Sequence, residues 1–147
     1  METGWKDRDG YVYIRRAWKE GDAITLEMEM PVELMVANPH VRADAGRVAI
    51  QRGPLVYCLE EEDNGANLSA LALRAETGLT VREEGDLQAG AVVIQGEALR
   101  ICEEEWNGCL YRPFAKAEST VPFKAVPYYL WGNRNPGEML VWLRLKE

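Results

Sequence analysis

Residues 23–30 read Ala-Ile-Thr-Leu-Glu-Met-Glu-Met, placing Ile24, Leu26, Met28 and Met30 on one side of an extended chain and Thr25, Glu27 and Glu29 on the other. A strict period of two predicts a strand with one buried and one wet face, because successive side chains leave a pleated strand on opposite sides. Residues 11–18, rich in aromatic and β-branched side chains, predict a partner strand, and Lys19-Glu20-Gly21-Asp22 supplies the turn of a hairpin. Residues 32–36 continue the second strand beyond Pro31, which belongs at an edge or bulge because it has no N–H to give to a ladder.

Further strands are predicted at 47–51, 55–60, 79–82, 91–94, 99–102, 123–130 and 139–145. Turn residues punctuate them, among them Asp44-Ala45-Gly46, Gly53-Pro54, Asp63-Asn64-Gly65 and Asn135-Pro136-Gly137. Only residues 68–74 have a helix-like composition, and they read equally well as another strand. Residues 103–121 lack a clear period and are read as a loop. Many short strands with frequent turns predict an all-β antiparallel β-sandwich. With no repeat, low-complexity tract or linker, the whole chain, 1–147, is read as a single domain.

Charge narrows the partners. Lys+Arg 17 against Asp+Glu 24 gives a net charge of −7, and Arg15-Arg16 is the only basic doublet. Nucleic acids and anionic membranes attract clustered cations, so neither is an expected partner. The polar N-terminus has no apolar signal core and no run approaches a membrane span, so the chain at face value is cytoplasmic. Three cysteines, Cys58, Cys102 and Cys109, do not make a disulfide framework.

Candidate chemistry is sparse. His40 is the only histidine, which excludes histidine-rich metal sites, and its place after Asn38-Pro39 reads as a surface turn. Cys102 and Cys109 flank Glu103-Glu104-Glu105-Trp106-Asn107-Gly108, but both ligand number and spacing fall short of a zinc site, so no metal or other cofactor is expected. The runs 60–63 and 103–105 are the densest carboxylates and read as solvated, self-repelling loop ends; a glycosidase needs two isolated carboxyls held at a set separation. No catalytic residue is expected. The aromatics say more. Trp18 and Trp142 read as core, whereas Trp106 in the loop and Trp131 beside Gly132-Asn133-Arg134 read as equally suited to core or interface.

Three segments carry a family resemblance: GYVYIRRAWKEGDAITLEMEM (10–30), GRVAIQRGPLVYCLE (46–60) and FKAVPYYLWGNRNPGEMLVWL (123–143). In this order they resemble the C-terminal β-sandwich region of the β-L-arabinofuranosidase-like glycoside hydrolases (family 127 and relatives, formerly a domain of unknown function). The resemblance implies a jelly-roll-like sandwich, incomplete at its N-terminal edge, in a fragment that lacks the (α/α)6 catalytic barrel. In that family the glycosidic chemistry is attributed to glutamates and a zinc-bound cysteine thiolate in the barrel, and no residue here matches them. The expected function is therefore a non-catalytic accessory domain that packs on and stabilises the barrel. Tyr128, Trp131, Asn133 and Arg134 are the expected contact residues, with Arg134 as a planar donor fork; the alternative for Asn133 and Arg134 is a solvated hairpin tip. An exposed sheet edge implies either a rearranged self-contained fold or a homodimer that pairs it. The rival function is an independent carbohydrate-binding module using Trp106 and Trp131 side by side on the surface.

Overall fold

The computed structural model describes residues 5–88, 90–113 and 118–146. Eleven strands carry the fold: β1 (Trp5–Arg8), β2 (Tyr11–Ile14), β3 (Val32–Val36), β4 (Arg47–Arg52), β5 (Leu55–Glu60), β6 (Leu71–Arg74), β7 (Thr80–Glu83), β8 (Val92–Ile101), β9 (Glu118–Pro127), β10 (Met139–Leu140) and β11 (Leu143–Lys146). Among the described residues the only α-helical turn, α1, is Glu61–Asn64.

Strands β5, β9, β8, β6, β11 and β4 follow one another in the sheet, and β4 pairs with β5 in turn, which closes a six-stranded barrel. The expected jelly-roll-like sandwich is therefore incorrect. The two architectures share one sequence signature, since an inward-facing residue alternates with an outward one whether it meets a second sheet or the far wall of a ring. Closure depends on β11, which runs parallel to β6 (Arg144↔Ala72, Leu145↔Leu73) and antiparallel to β4 (Leu143↔Val48). No local pattern announces a parallel pair made between distant segments.

Each ring strand sends alternate residues inward: Val48 and Ile50 from β4, Tyr57 and Leu59 from β5, Leu71 and Leu73 from β6, Ile94 and Ala98 from β8, Phe123 and Ala125 from β9, and Leu143 from β11. These fill the ring, as side chains do in a small barrel. A lesser cluster, Cys58, Val93 and Val126 with Leu87, Met139 and Val141, covers the outside of β5, β8 and β9. Strand β5 is thus buried on both faces, which explains its unbroken apolar run. Within β8, Gly96 stands opposite Phe123, and a Cβ there would lie 2.9 Å from the Phe123 ring. The aromatic ring occupies the space the glycine leaves.

Several local expectations are revised. The 91–94 and 99–102 segments are one strand, β8, and residues 68–74 are a 3-10 turn (Leu68–Ala70) followed by β6. The 123–130 strand ends at Pro127. Residues 139–145 do not form a hairpin with it; β10 pairs with β5, and a bend at Val141 and Trp142 redirects the chain into β11. The expected loop at 103–121 opens with a 3-10 turn (Glu103–Trp106) and is overturned from Glu118 on, where β9 begins; residues 114–117 lie outside the described residues.

The largest departure is N-terminal. The turn at Lys19–Asp22 forms, closed by Asp22 N–H to the Lys19 carbonyl at 3.1 Å, but the segments it joins share no ladder. Strand β2 pairs with β1 instead, as a separate two-stranded sheet, and residues 23–30 form an arm with no regular element and no strand partner. Leu26 and Met28, expected on a buried face, are each 73% exposed, and Trp18, expected in the core, is 51% exposed with the Arg16 guanidinium over its ring. Strand β3 then joins the outer side of β4, so Pro31 does precede an edge strand. Among the described residues no helix is long and apolar enough to cross a membrane.

Candidate functional site

Where β9 ends, Pro127 turns the chain into a 3-10 turn, Tyr128–Leu130, closed by Trp131 N–H to the Tyr128 carbonyl at 3.1 Å. Leu130 points into the protein and anchors the turn, while Tyr128 and Trp131, each 46% exposed, face outward with Tyr129. The Tyr128 and Trp131 rings stack with centroids 6.0 Å apart and planes at 27°. This is an offset aromatic shelf on the surface.

The segment after the shelf is braced by side chains from α1 and the end of β5. Gly132 has φ +77°, a left-handed conformation that glycine adopts at little cost, and its N–H donates to Glu60 Oε1 at 3.1 Å. Asn133 folds back onto the Leu130 carbonyl at 3.0 Å. Arg134 grips Asp63 with both terminal nitrogens, Nη1 at 3.0 Å and Nη2 at 2.5 Å, and Nη2 also donates to Glu60. Asn135 donates to both Glu62 oxygens, and Glu138 N–H donates to Glu61. Asp63 Oδ1, which accepts from Arg134 Nη1, also meets Lys124 Nζ at 2.6 Å, and Lys124 in turn meets Glu84.

Burial works against the Asp63 carboxylate, but its bonds from Arg134 and Lys124 more than offset that and hold its pKa below the ordinary value. Lys124 is the mirror case: burial lowers its pKa, and the bonds to Asp63 and Glu84 raise it above the usual ammonium value. Hydrogen bonding to Asp63 first, and then to Glu60, stabilises the Arg134 charge further. The Glu60-Glu61-Glu62-Asp63 run, expected to be a solvated loop end, is thus an acidic clasp around residues 132–138. A bidentate guanidinium–carboxylate pair fixes direction as well as charge, which makes the shelf's support rigid.

A cleft of about 270 Å³ lies beside the shelf, lined by Trp131, Glu61, Glu62, Asn135 and Glu138 among others. Trp106 is elsewhere. It closes a 3-10 turn (Glu103–Trp106), is half-buried, and lies under the Arg112 guanidinium at 4.8 Å, in a different cleft with Asn67, Ser69 and Arg144. Of the five contact candidates the structure therefore brings together Tyr128, Trp131, Asn133 and Arg134, and leaves Trp106 apart. The guanidinium of Arg134 is engaged within the chain, and Asn133 braces the turn.

The three thiols differ in burial. Cys58 is buried, with its pKa pushed up to about 12 by burial and then by the Glu60 charge, so the thiolate a metal needs is disfavoured. Cys102 is half-buried and Cys109 exposed, and among the described residues no three His, Cys, Asp or Glu side chains converge to hold an ion. His40 is exposed, its N–H turned onto Asn38 Oδ1.

A family model described as the glycoside hydrolase family 127 C-terminal domain matches residues 32–144. The chain belongs to this family. It is 40% identical, over 92% of its length, to a non-reducing end β-L-arabinofuranosidase of Bifidobacterium longum subsp. longum, and spans 21% of that protein. Among solved structures it resembles a GH127 β-L-arabinofuranosidase from Geobacillus stearothermophilus T6, with 48% identity and a TM-score of 0.77 over 92% of this chain and 19% of that one. A second GH127 β-arabinofuranosidase superposes with a TM-score of 0.79 at 32% identity, over 97% of this chain and 22% of that one. The chain thus spans about a fifth of the length of these relatives. The family-127 C-terminal match begins at Val32, so the β1–β2 hairpin and the arm of residues 23–30 precede it.

Proposed function

We propose that this chain is a non-catalytic accessory domain of a β-L-arabinofuranosidase-like glycoside hydrolase, and that it docks on the larger body that carries catalysis. The observation behind this reading is the apolar arm. Val12, Ile14 and Trp18 from one side of the Lys19–Asp22 turn and Ile24 and Leu26 from the other line a cleft of about 680 Å³, and all but Ile14 are more than half exposed. An alternating segment with its ladder groups unpaired and its apolar face in water is a strand without its sheet, the situation that strand addition resolves. Contiguous exposed apolar surface of this kind marks interfaces. The relatives are about five times longer than this chain, and the rest of an arabinofuranosidase body is the partner on which the arm would dock. The carboxylates of 60–63 support the non-catalytic part, since Glu60 and Asp63 are tied up by Arg134 and Lys124 rather than facing each other across a cleft.

The test mixes this chain with the portion of a family 127 arabinofuranosidase that precedes the matched region and follows the mixture by light scattering. A one-to-one complex is expected, and Leu26→Asp should weaken it by about 30-fold or more, the size of an interface hot spot. Self-association through the arm with no such complex would replace the docking reading with a homodimer.

A further inference from the structure

The aromatic shelf is unusual in how firmly it is held. Exposed aromatic rings on a free loop have no fixed orientation, but here Leu130 anchors the turn, Asn133 and Gly132 tie it back, and the clasp of Glu60, Asp63 and Arg134 locks the segment behind it. Nothing within the described residues covers the outward faces of Tyr128 and Trp131, each about half exposed. We propose that the Tyr128–Trp131 shelf and the cleft beside it form a contact site for a neutral sugar.

Three features select that ligand class. A sugar ring presents a flat array of C–H groups on one face, which suits a stacked, pre-oriented aromatic surface; orientation fixed in advance lowers the entropy cost of binding. Sugar hydroxyls need acceptors at the rim, and Glu61, Glu62 and Glu138 provide carboxylates with lone pairs beyond those their present hydrogen bonds use. The same carboxylates repel an anionic sugar, and the one cation among them, Arg134, already faces Glu60 and Asp63. A volume of about 270 Å³ falls just below the usual range for small-ligand pockets and fits one ring rather than an extended chain. The choice of a pentose as first probe rests on the arabinofuranosidase-like reading; the aromatic geometry does not.

The test is a titration of the ¹⁵N-labelled chain with L-arabinose, methyl α-D-glucopyranoside and D-galacturonate, followed by two-dimensional NMR. Five indole N–H signals are available, and Trp131→Phe identifies the one from Trp131. Saturable shifts at the Trp131 indole and at the Gly132, Asn135 and Gly137 amides are expected with at least one neutral sugar, with dissociation constants on the order of 1–10 mM. D-galacturonate should bind several-fold more weakly, and Trp131→Ala should abolish the shifts. Trp131→Phe, which keeps a ring and therefore the fold, should retain weakened binding. No saturable shift at Trp131 with either neutral sugar up to about 50 mM overturns the proposal. So does a galacturonate response equal to that of the neutral sugars. If Trp131→Ala instead weakens the complex with the arabinofuranosidase body while sugars leave the indole unmoved, the shelf is a protein contact. Because the titration uses this chain alone, a failed docking experiment leaves its outcome intact.

Discussion

At the level of single residues, Arg134 concentrates the most consequence. Its side chain is about four-fifths buried and its partners Glu60 and Asp63 more so; removing it strands two carboxylates in a poorly hydrated place. Arg134→Ala should cost about 3 kcal/mol in chemical denaturation, and Arg134→Lys should recover only part of that, since an ammonium lacks the two-pronged fork. The folded pKa of Asp63 lies below its unfolded value of about 3.9. Its pairing therefore stabilises fully above that pH and is lost as the pH falls through the folded value. Asp63→Asn should erase this acid-side dependence, so that the stability gap to the wild type narrows below about pH 4. The thiols give an independent check: iodoacetamide should modify exposed Cys109 first, Cys102 more slowly, and Cys58 only when the outer cluster over β5 lifts away, as peptide mass spectrometry would report. The aromatic candidates Tyr128 and Trp131 could be picked out from the sequence because tryptophan and tyrosine beside Gly132-Asn133 suit a surface turn. The clasp could not, because Arg134 meets Asp63 across 71 positions and an acidic run looks the same whether it is solvated or paired.

At the level of elements, legibility followed how much each segment depends on others. Strand β5 was plain in the sequence, its run Leu55–Glu60 bounded by Gly53-Pro54 and by α1. The alternation at 23–30 was equally plain, yet in the structure it has no ladder partner, because period-two patterning specifies a face to be buried and not the chain that buries it. Strand β8 hid in two pieces because Gly96 interrupts its apolar inward row between Ile94 and Ala98. The glycine is needed for the Phe123 ring: in Gly96→Ala the new methyl would lie 2.9 Å from that ring and 3.2 Å from the Gly78 carbonyl. The substitution should destabilise by about 1–3 kcal/mol, and Phe123→Leu combined with it should recover part of the loss in a double-mutant cycle, since the smaller side chain leaves room.

Over the whole molecule, the all-β class was legible from strand spacing and turn chemistry, and the family from three long segments, while the closed barrel was not. A ring and a sandwich bury the same alternating residues; they differ in which edges meet, and here the ring needs the β4–β5 pairing together with the bridge that Leu143–Lys146 makes between β4 and β6. That dependence has a kinetic consequence. Strands β4 and β6 flank β11 in the ring, and β11 follows the other five ring strands along the chain. Until it emerges, the nascent chain carries two open strand edges flanking an apolar interior, so the barrel cannot close cotranslationally in stages and must finish in one late, long-range step. Such non-local closure is slow and exposes unpaired edges to other chains. Synthesis rate and chaperone access during that interval, rather than the stability of the finished ring, would then set the yield of folded protein.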